Sequence, residues 1–364
     1  SGGVSPNMVL GQMPTRPALL VRLMDAEGCY GWGEIWANFP PRANLHKAHV
    51  VEDVVAPALK GFGFTTPGEV IGFLRERFSI YFLHVGQQQV FEHILAGLDV
   101  ALWDLALRNA GQSLASNLGI DCRAANTYAS SINPLDLEGM VQSHAGMGET
   151  GFKLKLGFND DLDRDFIRQA ADVLPAGTRL MVDTNQAWCM SRAKNMLGYL
   201  EQFDPVFSEE PIPANSDYAD WEALAESTSV PLAAGENIYG VDEFLRMADA
   251  GVQYLQPDVA KWGGVTGAME LIRSLPHGVS LWPHFMGTAV GQMAALAITS
   301  LGGDQSTCEM DVNANPLRTD LCGDVLTIHD GCVDLPGGPG LAVSPVAEQL
   351  QAFQEPAFHN GELN

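Results

Sequence analysis

"GFKLKLGF", Gly151–Phe158, is a short apolar run that carries two lysines at alternate positions. Strand side chains alternate between faces with a period of two, so Lys153 and Lys155 point one way and Phe152, Leu154 and Leu156 the other. Inside a fold, the charged face must look at something that requires two ammonium groups. A solvated edge strand is the plain alternative for a lone Lys-x-Lys. The flanking glycines and the inverted apolar face speak against it here.

Similar short segments recur outward from this one. They are Asn126–Ser131, Arg179–Asn185, Val206–Pro211, Pro231–Asn237, Tyr254–Val259, Ser280–His284 and Thr307–Val312. Amphipathic stretches lie between them at Leu162–Leu174, Ser191–Phe203, Tyr218–Ser227, Val241–Ala250 and Val265–Leu275. About eight strands at a spacing of about 25 residues match the repeat of a β/α barrel. A doubly wound open sheet is the alternative, but no GxGxxG opens a helix. Before this array, Ala18–Trp36 reads as two strands around the turn "DAEG", followed by helical patterns at His46–Lys60, Pro67–Phe78 and Glu92–Asn109. Beyond Asp324 the chain is rich in turns and is expected to return to the first domain. The expected division is an α+β capping domain (1–125), a barrel (126–323) and a returning segment (324–364).

Nearly every segment from the second onward ends in an ionisable group, where barrels place their chemistry. Such a ring of charge is costly unless it is paired or metal-bound. Asp183, Glu209 and Glu236 come from three successive strands and are expected to converge. Three carboxylates without Cys or His describe a hard-cation site, and Mg2+ fits it best, with water and substrate oxygen in the remaining positions. Taken singly, each acid could be a helix cap or a salt bridge; taken in register, they point to a metal. Lys153 and Lys155 would face this ion, each lowering the other's pKa, so that one serves as a general base. Asp258 and His284 end the sixth and seventh strands, where a carboxylate on one ring nitrogen raises the basicity of the other. Glu309, on the last strand, is expected to hydrogen-bond a substrate oxygen in its protonated form, with a salt bridge to an arginine as the plain alternative. Asn185, Ser131 and Trp36 are candidate substrate-binding residues. His46 and His49 fall on a helix, His144 in a loop, and His277 and His329 at turns, all without a catalytic signal.

The bulk numbers restrict the partners. The chain has 364 residues, 46% apolar and 18% charged, with a formal net charge of −24. That acidity argues against nucleic acid and anionic membrane, and no apolar run is long enough for a membrane span. Six cysteines without a CxxC pair suit a reduced, cytoplasmic protein. The start, "SGGVSPNM", shows neither the charged nor the apolar region of a signal peptide. A homo-oligomer acting on a small carboxylate is the expected form.

The pattern resembles the enolase superfamily, and within it the mandelate-racemase-like subgroup. "GWGE", "DVALWDLALRNAG", "KLK", "VDTNQ", "EEP", "GEN", "PDVAKWGGVTG", "WPH" and "CEMDV" carry the likeness over nearly the whole chain. The resemblance implies an α+β cap, built from both chain ends, over a modified TIM barrel, (β/α)7β. It implies Asp183, Glu209 (not Glu210) and Glu236 as ligands of Mg2+ and Lys155 as the base on one face, with Lys153 as its electrostatic neighbour. It further implies His284 with Asp258 as the opposing base and Glu309 as partner of the substrate carboxylate. A lysine in place of Asp258 would mark muconate-lactonizing relatives. Family members usually begin with a strand and a substrate-covering loop, and this chain is expected to open near the end of that loop.

The shared step is abstraction of the proton α to a carboxylate, giving an enediolate. Opposed bases permit racemisation or epimerisation of a small acid, and equally dehydration of an acid sugar, with His284 expelling a β-hydroxyl. The lid candidate "EIWANFPPR" offers mainly Trp36, Phe39 and Pro40, which favours a compact, partly apolar substrate and hence racemisation. Trp188, Trp262 and Trp282 adjoin strand ends, where packing is the commoner role. A non-catalytic barrel would be expected to lack a ligand or base. "KWGGVTG" could suggest phosphate at a helix start, and a two-metal hydrolase would want an HxH strand.

Overall fold

The computed structural model describes residues 15–120, 124–303 and 305–354. Cys122 and the stretch "SGGVSPNM" lie outside these residues. Strands β1 (Leu19–Met24) and β2 (Tyr30–Ile35) form an antiparallel hairpin, with Leu19 opposite Ile35 and Met24 opposite Tyr30. Three helical segments follow. The first runs Ala43–Val50, continues through a wider turn at Val51–Val55 and ends at Leu59; Pro67–His84 and Gln88–Ala110 complete the cap. The "GWGE" glycines have a steric cause. A Cβ on Gly33 would lie 2.0 Å from the Gly97 carbonyl oxygen, so β2 rests directly on the backbone of Gln88–Ala110.

Eight parallel strands follow: β3 (Ala124–Ile132), β4 (Gly151–Lys155), β5 (Arg179–Asp183), β6 (Ser208–Glu209), β7 (Leu232–Ala234), β8 (Val252–Leu255), β9 (Ser280–Leu281) and β10 (Cys308–Asp311). They pair in chain order, and β10 returns to pair with β3, Glu309 opposite Tyr128. The ladder is not continuous between β9 and β10, where the Glu309 amide donates to the Pro283 carbonyl at 3.3 Å. A helix follows each of the first seven strands, giving the (β/α)7β order. Phe152, Leu154 and Leu156 face the helices in the main core. Tyr128, Met181, Phe207, Ala233 and Trp282 fill the lumen, with rings of Tyr128, Phe207 and Tyr254 at 5.4–5.6 Å from that of Trp282. This apolar plug is the floor of the charged layer above it.

Two of the seven barrel helices are absent from the amphipathic pattern of the sequence. Ala289–Leu301 is buried nearly all round, so it presents no polar face to read. Leu137–Gly146 is short and glycine-containing, and it places His144 on a helix rather than in a loop. The returning segment first extends the barrel: β11 (Ile328–His329) pairs with β12 (Cys332–Asp334), and β12 runs antiparallel to β3. It then reaches the cap, where the Leu114 amide donates to Gly340 O at 2.8 Å and Leu341 N to Asp104 Oδ1 at 2.8 Å. Cys29, Cys189, Cys308, Cys322 and Cys332 are free thiols, and among the described residues no helix is long and apolar enough to cross a membrane.

Candidate active site

Alternation along β4 turns both lysines into the lumen, as their spacing requires. Lys153 donates to Glu209 Oε2 at 2.5 Å and lies 2.8 Å from Glu309 Oε1 and 3.9 Å from Asp183 Oδ2. Lys155 donates to Asp183 and, at 3.2 Å, to Asn185 Oδ1. Asp183 and Glu209 are register partners on β5 and β6. Glu236 follows Gly235, whose own Cβ would meet the Gln256 amide nitrogen at 2.4 Å, so only glycine admits this approach of β7 to the next strand. Across the lumen, His284 Nδ1 lies 2.9 Å from Asp258 Oδ2, and its Nε2 faces Glu236 at 3.1 Å and Glu309 at 3.5 Å. The backbone amides of Ala260 and Lys261 donate to Asp258 Oδ1 at 2.8 and 3.2 Å, which fixes the dyad.

The charge states depart from the sequence expectation at two places. Burial acts to lower the Lys153 ammonium, but Glu209 and Glu309 outweigh it and hold it well above the ordinary lysine range. Lys155 is likewise raised, chiefly by Asp183 against burial. Mutual repulsion of the lysines is therefore the lesser effect, because each ammonium is paired directly with a carboxylate. Glu309 is not protonated either. Burial pushes its carboxyl up, but Lys153 and His284 pull it below the usual range, and its partner is a lysine instead of the arginine considered above. His284 is driven up to about 9: burial lowers it, and Glu236 and Glu309 raise it further than burial lowers it.

Of the candidate substrate contacts, Asn185 lies at the Lys155 head. Ser131 is buried with φ 65°, and its hydroxyl has no partner among the described residues; Ser130, two residues after the lumen-facing Tyr128, donates to Glu309. Trp36 lines the seam between cap and barrel. Its amide donates to Ala260 O at 3.2 Å, and its ring carries Lys47 at 4.8 Å and Lys261 at 4.7 Å. Asn38 pins the same lid segment to Met286 O at 2.8 Å. Trp188, Trp262 and Trp282 are buried in packing positions. Lys261 and Gln256 went unassigned in the sequence. Lys261 donates to Glu236 Oε2 at 3.0 Å, and Gln256 donates to Glu209 Oε2 at 2.8 Å. Gln256 lies two residues before Asp258, so the period of two could have found it; Lys261 sits in a loop, where no period applies.

The three expected metal ligands do not form a ready cage. Among the described residues no three acidic, His or Cys side chains surround a common point, because each carboxylate is drawn to a lysine. Their chemistry nevertheless suits a hard cation. The set is all oxygen, Asp183 and Glu209 are in register, and Glu209 Oε1 is buried without a hydrogen-bond partner. Burial, then the nearby Asp183, pushes Glu209 up from the usual carboxylate range, the mark of negative charge in want of compensation. Glu210, by contrast, is turned away at φ 38°, with both its oxygens 3.0 Å from the Asn237 amide.

Residues 137–349 match the family model for the enolase C-terminal domain-like fold, and residues 5–119 match that for the mandelate racemase/muconate lactonizing enzyme N-terminal domain. A crystal structure of a mandelate racemase/muconate lactonizing enzyme from Bordetella bronchiseptica RB50 is 37% identical, with a TM-score of 0.88 over 96% of this chain and 97% of that one. D-galactarolactone cycloisomerase of Agrobacterium fabrum is 29% identical, over 94% of this chain and 92% of its own. L-talarate dehydratase from Polaromonas sp. JS666, crystallised with Mg and L-glucarate, is 26% identical, with a TM-score of 0.77 over 98% and 96% of the two chains. With cap and barrel matched in sequence as well as shape, the chain belongs to the mandelate racemase/muconate lactonizing enzyme family of the enolase superfamily.

Proposed function

We propose that this enzyme removes the proton α to the carboxylate of a small acid and delivers another to the opposite face, as a racemase or epimerase. The observation that carries this reading is the placement of Lys155 and the Asp258–His284 dyad on opposite walls of one charged layer, with the Lys153–Glu309 pair between them. Lys153 and Ser130 already converge on Glu309, so a substrate carboxylate entering there meets an ammonium placed for growing negative charge. Asp183, Glu209 and Glu236 would hold Mg2+, which supplies Lewis-acid stabilisation of the carboxylate when bound. In its deprotonated form Lys155 accepts the proton from one enantiomer and the protonated His284 delivers one to the other face, the roles reversing for the opposite hand, with Asp258 holding the imidazole tautomer. A cation on Asp183 and Glu236 would offset the carboxylates that hold Lys155 and His284 in their protonated forms.

Dehydration of an acid sugar is the second reading. It is favoured by the full-length similarity to L-talarate dehydratase and D-galactarolactone cycloisomerase, whose names denote polyhydroxylated acids. Here Lys155 takes the α-proton and His284 donates to the departing hydroxyl. Incubating acids in deuterated water with magnesium chloride separates the two. Deuterium at the α-carbon of recovered acid supports racemisation, and a 2-keto-3-deoxy product supports dehydration. Neither result across a broad set of hydroxy and sugar acids would remove both. The free thiols suit the reducing, cytoplasmic setting that belongs to this reading.

A further inference from the structure

We propose that Lys261 sets how tightly the acidic cluster takes up a divalent cation, by competing with it for Glu236. The proposal rests on the reading of Asp183, Glu209 and Glu236 as magnesium ligands. Each of these carboxylates has a different lysine as its nearest: Asp183 has Lys155, Glu209 has Lys153 and Glu236 has Lys261. The three are not equally open. Glu209 keeps one buried oxygen without a hydrogen-bond partner. Glu236 keeps none: Oε2 accepts from Lys261 at 3.0 Å and faces His284 Nε2 at 3.1 Å, while Oε1 accepts from Asn237 at 3.2 Å. A cation that engages Glu209 can add Glu236 only by displacing or sharing a donor.

Lys261 has little room to withdraw. It is 4% exposed, lies over the Trp36 ring and donates to Asn237 Oδ1 at 3.2 Å. Lys47 lies against the same ring and donates to the Trp36 carbonyl, which further confines this side of the seam. The Lys261 charge therefore stays beside the cation position, where repulsion is weakly screened. Its role is in affinity and in positioning Glu236, apart from proton transfer.

The test is titration of the full chain with magnesium chloride at fixed pH and ionic strength, read by calorimetry and by the rise in thermal unfolding midpoint. Lys261→Met, which keeps the stem, and Lys261→Gln, which keeps a donor to Glu236, are expected to lower the dissociation constant at least about tenfold. Lys261→Arg, which keeps the charge, is expected to stay within about threefold of the parent. If the parent binds saturably while Met and Gln bind equally or more weakly, Lys261 is only a prop for Glu236 and the proposal is overturned. If the parent shows no saturable binding, the magnesium reading fails as well. The Gln variant, shorter but still polar, keeps the test decisive should the Met variant not fold.

Discussion

His284 Nε2 faces two carboxylates and its Nδ1 a third, so the orientation of the ring depends on Asp258. Asp258 Oδ2 can accept only from a protonated Nδ1, so under the proposed function Nε2 is the atom that would exchange a proton with substrate. Asp258→Asn keeps the shape and the contacts to the Ala260 and Lys261 amides, but its amide can favour the wrong tautomer. Exchange of the α-proton in deuterated water, followed by proton NMR for each enantiomer of an active acid, is expected to fall at least about 100-fold on the His284 face only. Equal losses for both enantiomers would show that the two faces do not work independently. Glu309 yields a second expectation at this scale. Because Lys153 and His284 keep it ionised, Glu309→Gln removes the charge that balances two cations. Binding of an anionic acid is then expected to tighten even as turnover drops, a split visible in KM against kcat.

Among the elements, the helix Gln88–Ala110 holds the site together from outside it. Asp99 accepts from the Thr266 amide at 2.9 Å and caps the start of the barrel helix Gly264–Ser274. Asp104 accepts from the Trp32 amide of β2 and from Leu341 of the returning segment, both at 2.8 Å, and from Arg108 at 2.9 Å. Glu34, the last residue of "GWGE", does the same from the cap hairpin, accepting from the Thr288 amide at 3.0 Å and its hydroxyl at 2.6 Å at the start of Ala289–Leu301. Asp104→Ala strands two buried amides and is expected to cost about 3 kcal/mol in urea unfolding. Hydrogen exchange should quicken at Trp32 and Leu341 together; acceleration at only one would mean that Asp104 does not join the segments. This network also marks where the sequence was legible. The strands announced themselves because ionisable residues ended apolar runs at a regular spacing, and the period of two placed Lys153 and Lys155 correctly. Counted by two from Tyr128, which lies in the lumen, the same rule points to Ser130, the residue that donates to Glu309, while Ser131 beside it sits at positive φ. Ala289–Leu301 left no trace, since a helix buried on all sides has no polar stripe. The lysine–carboxylate pairing was hidden because side-chain reach from a loop, as at Lys261, follows no period.

For the molecule as a whole, a net charge of −24 is combined with carboxyls buried outside the lysine–carboxylate cluster. Burial raises Glu34, Asp99 and Glu149 to about 7 each, against the lowering effect of their hydrogen bonds to Thr288, Thr266 and Thr127. A carboxyl raised in the folded state binds its proton more tightly there than in the unfolded chain. Its contribution to stability is complete below the unfolded value, near 4, and is lost as pH rises through about 7. Glu236 and Glu309 are lowered, so their contributions are lost only at more acid pH, below this window. The fold is therefore expected to be more stable in urea at pH 5.5 than at pH 8, opposite to a protein governed by its salt-bridged carboxylates. Glu149 offers the cleanest check, since Oε1 accepts from Thr127 at 2.8 Å while Oε2 is buried without a partner. Glu149→Gln cannot ionise and keeps the acceptor. It is expected to be more stable than the parent by about 1–3 kcal/mol at pH 8, converging with it near pH 4.5. Parallel pH profiles for the two proteins would mean that this carboxyl is already ionised in the fold, and that the acidic surface alone sets the slope.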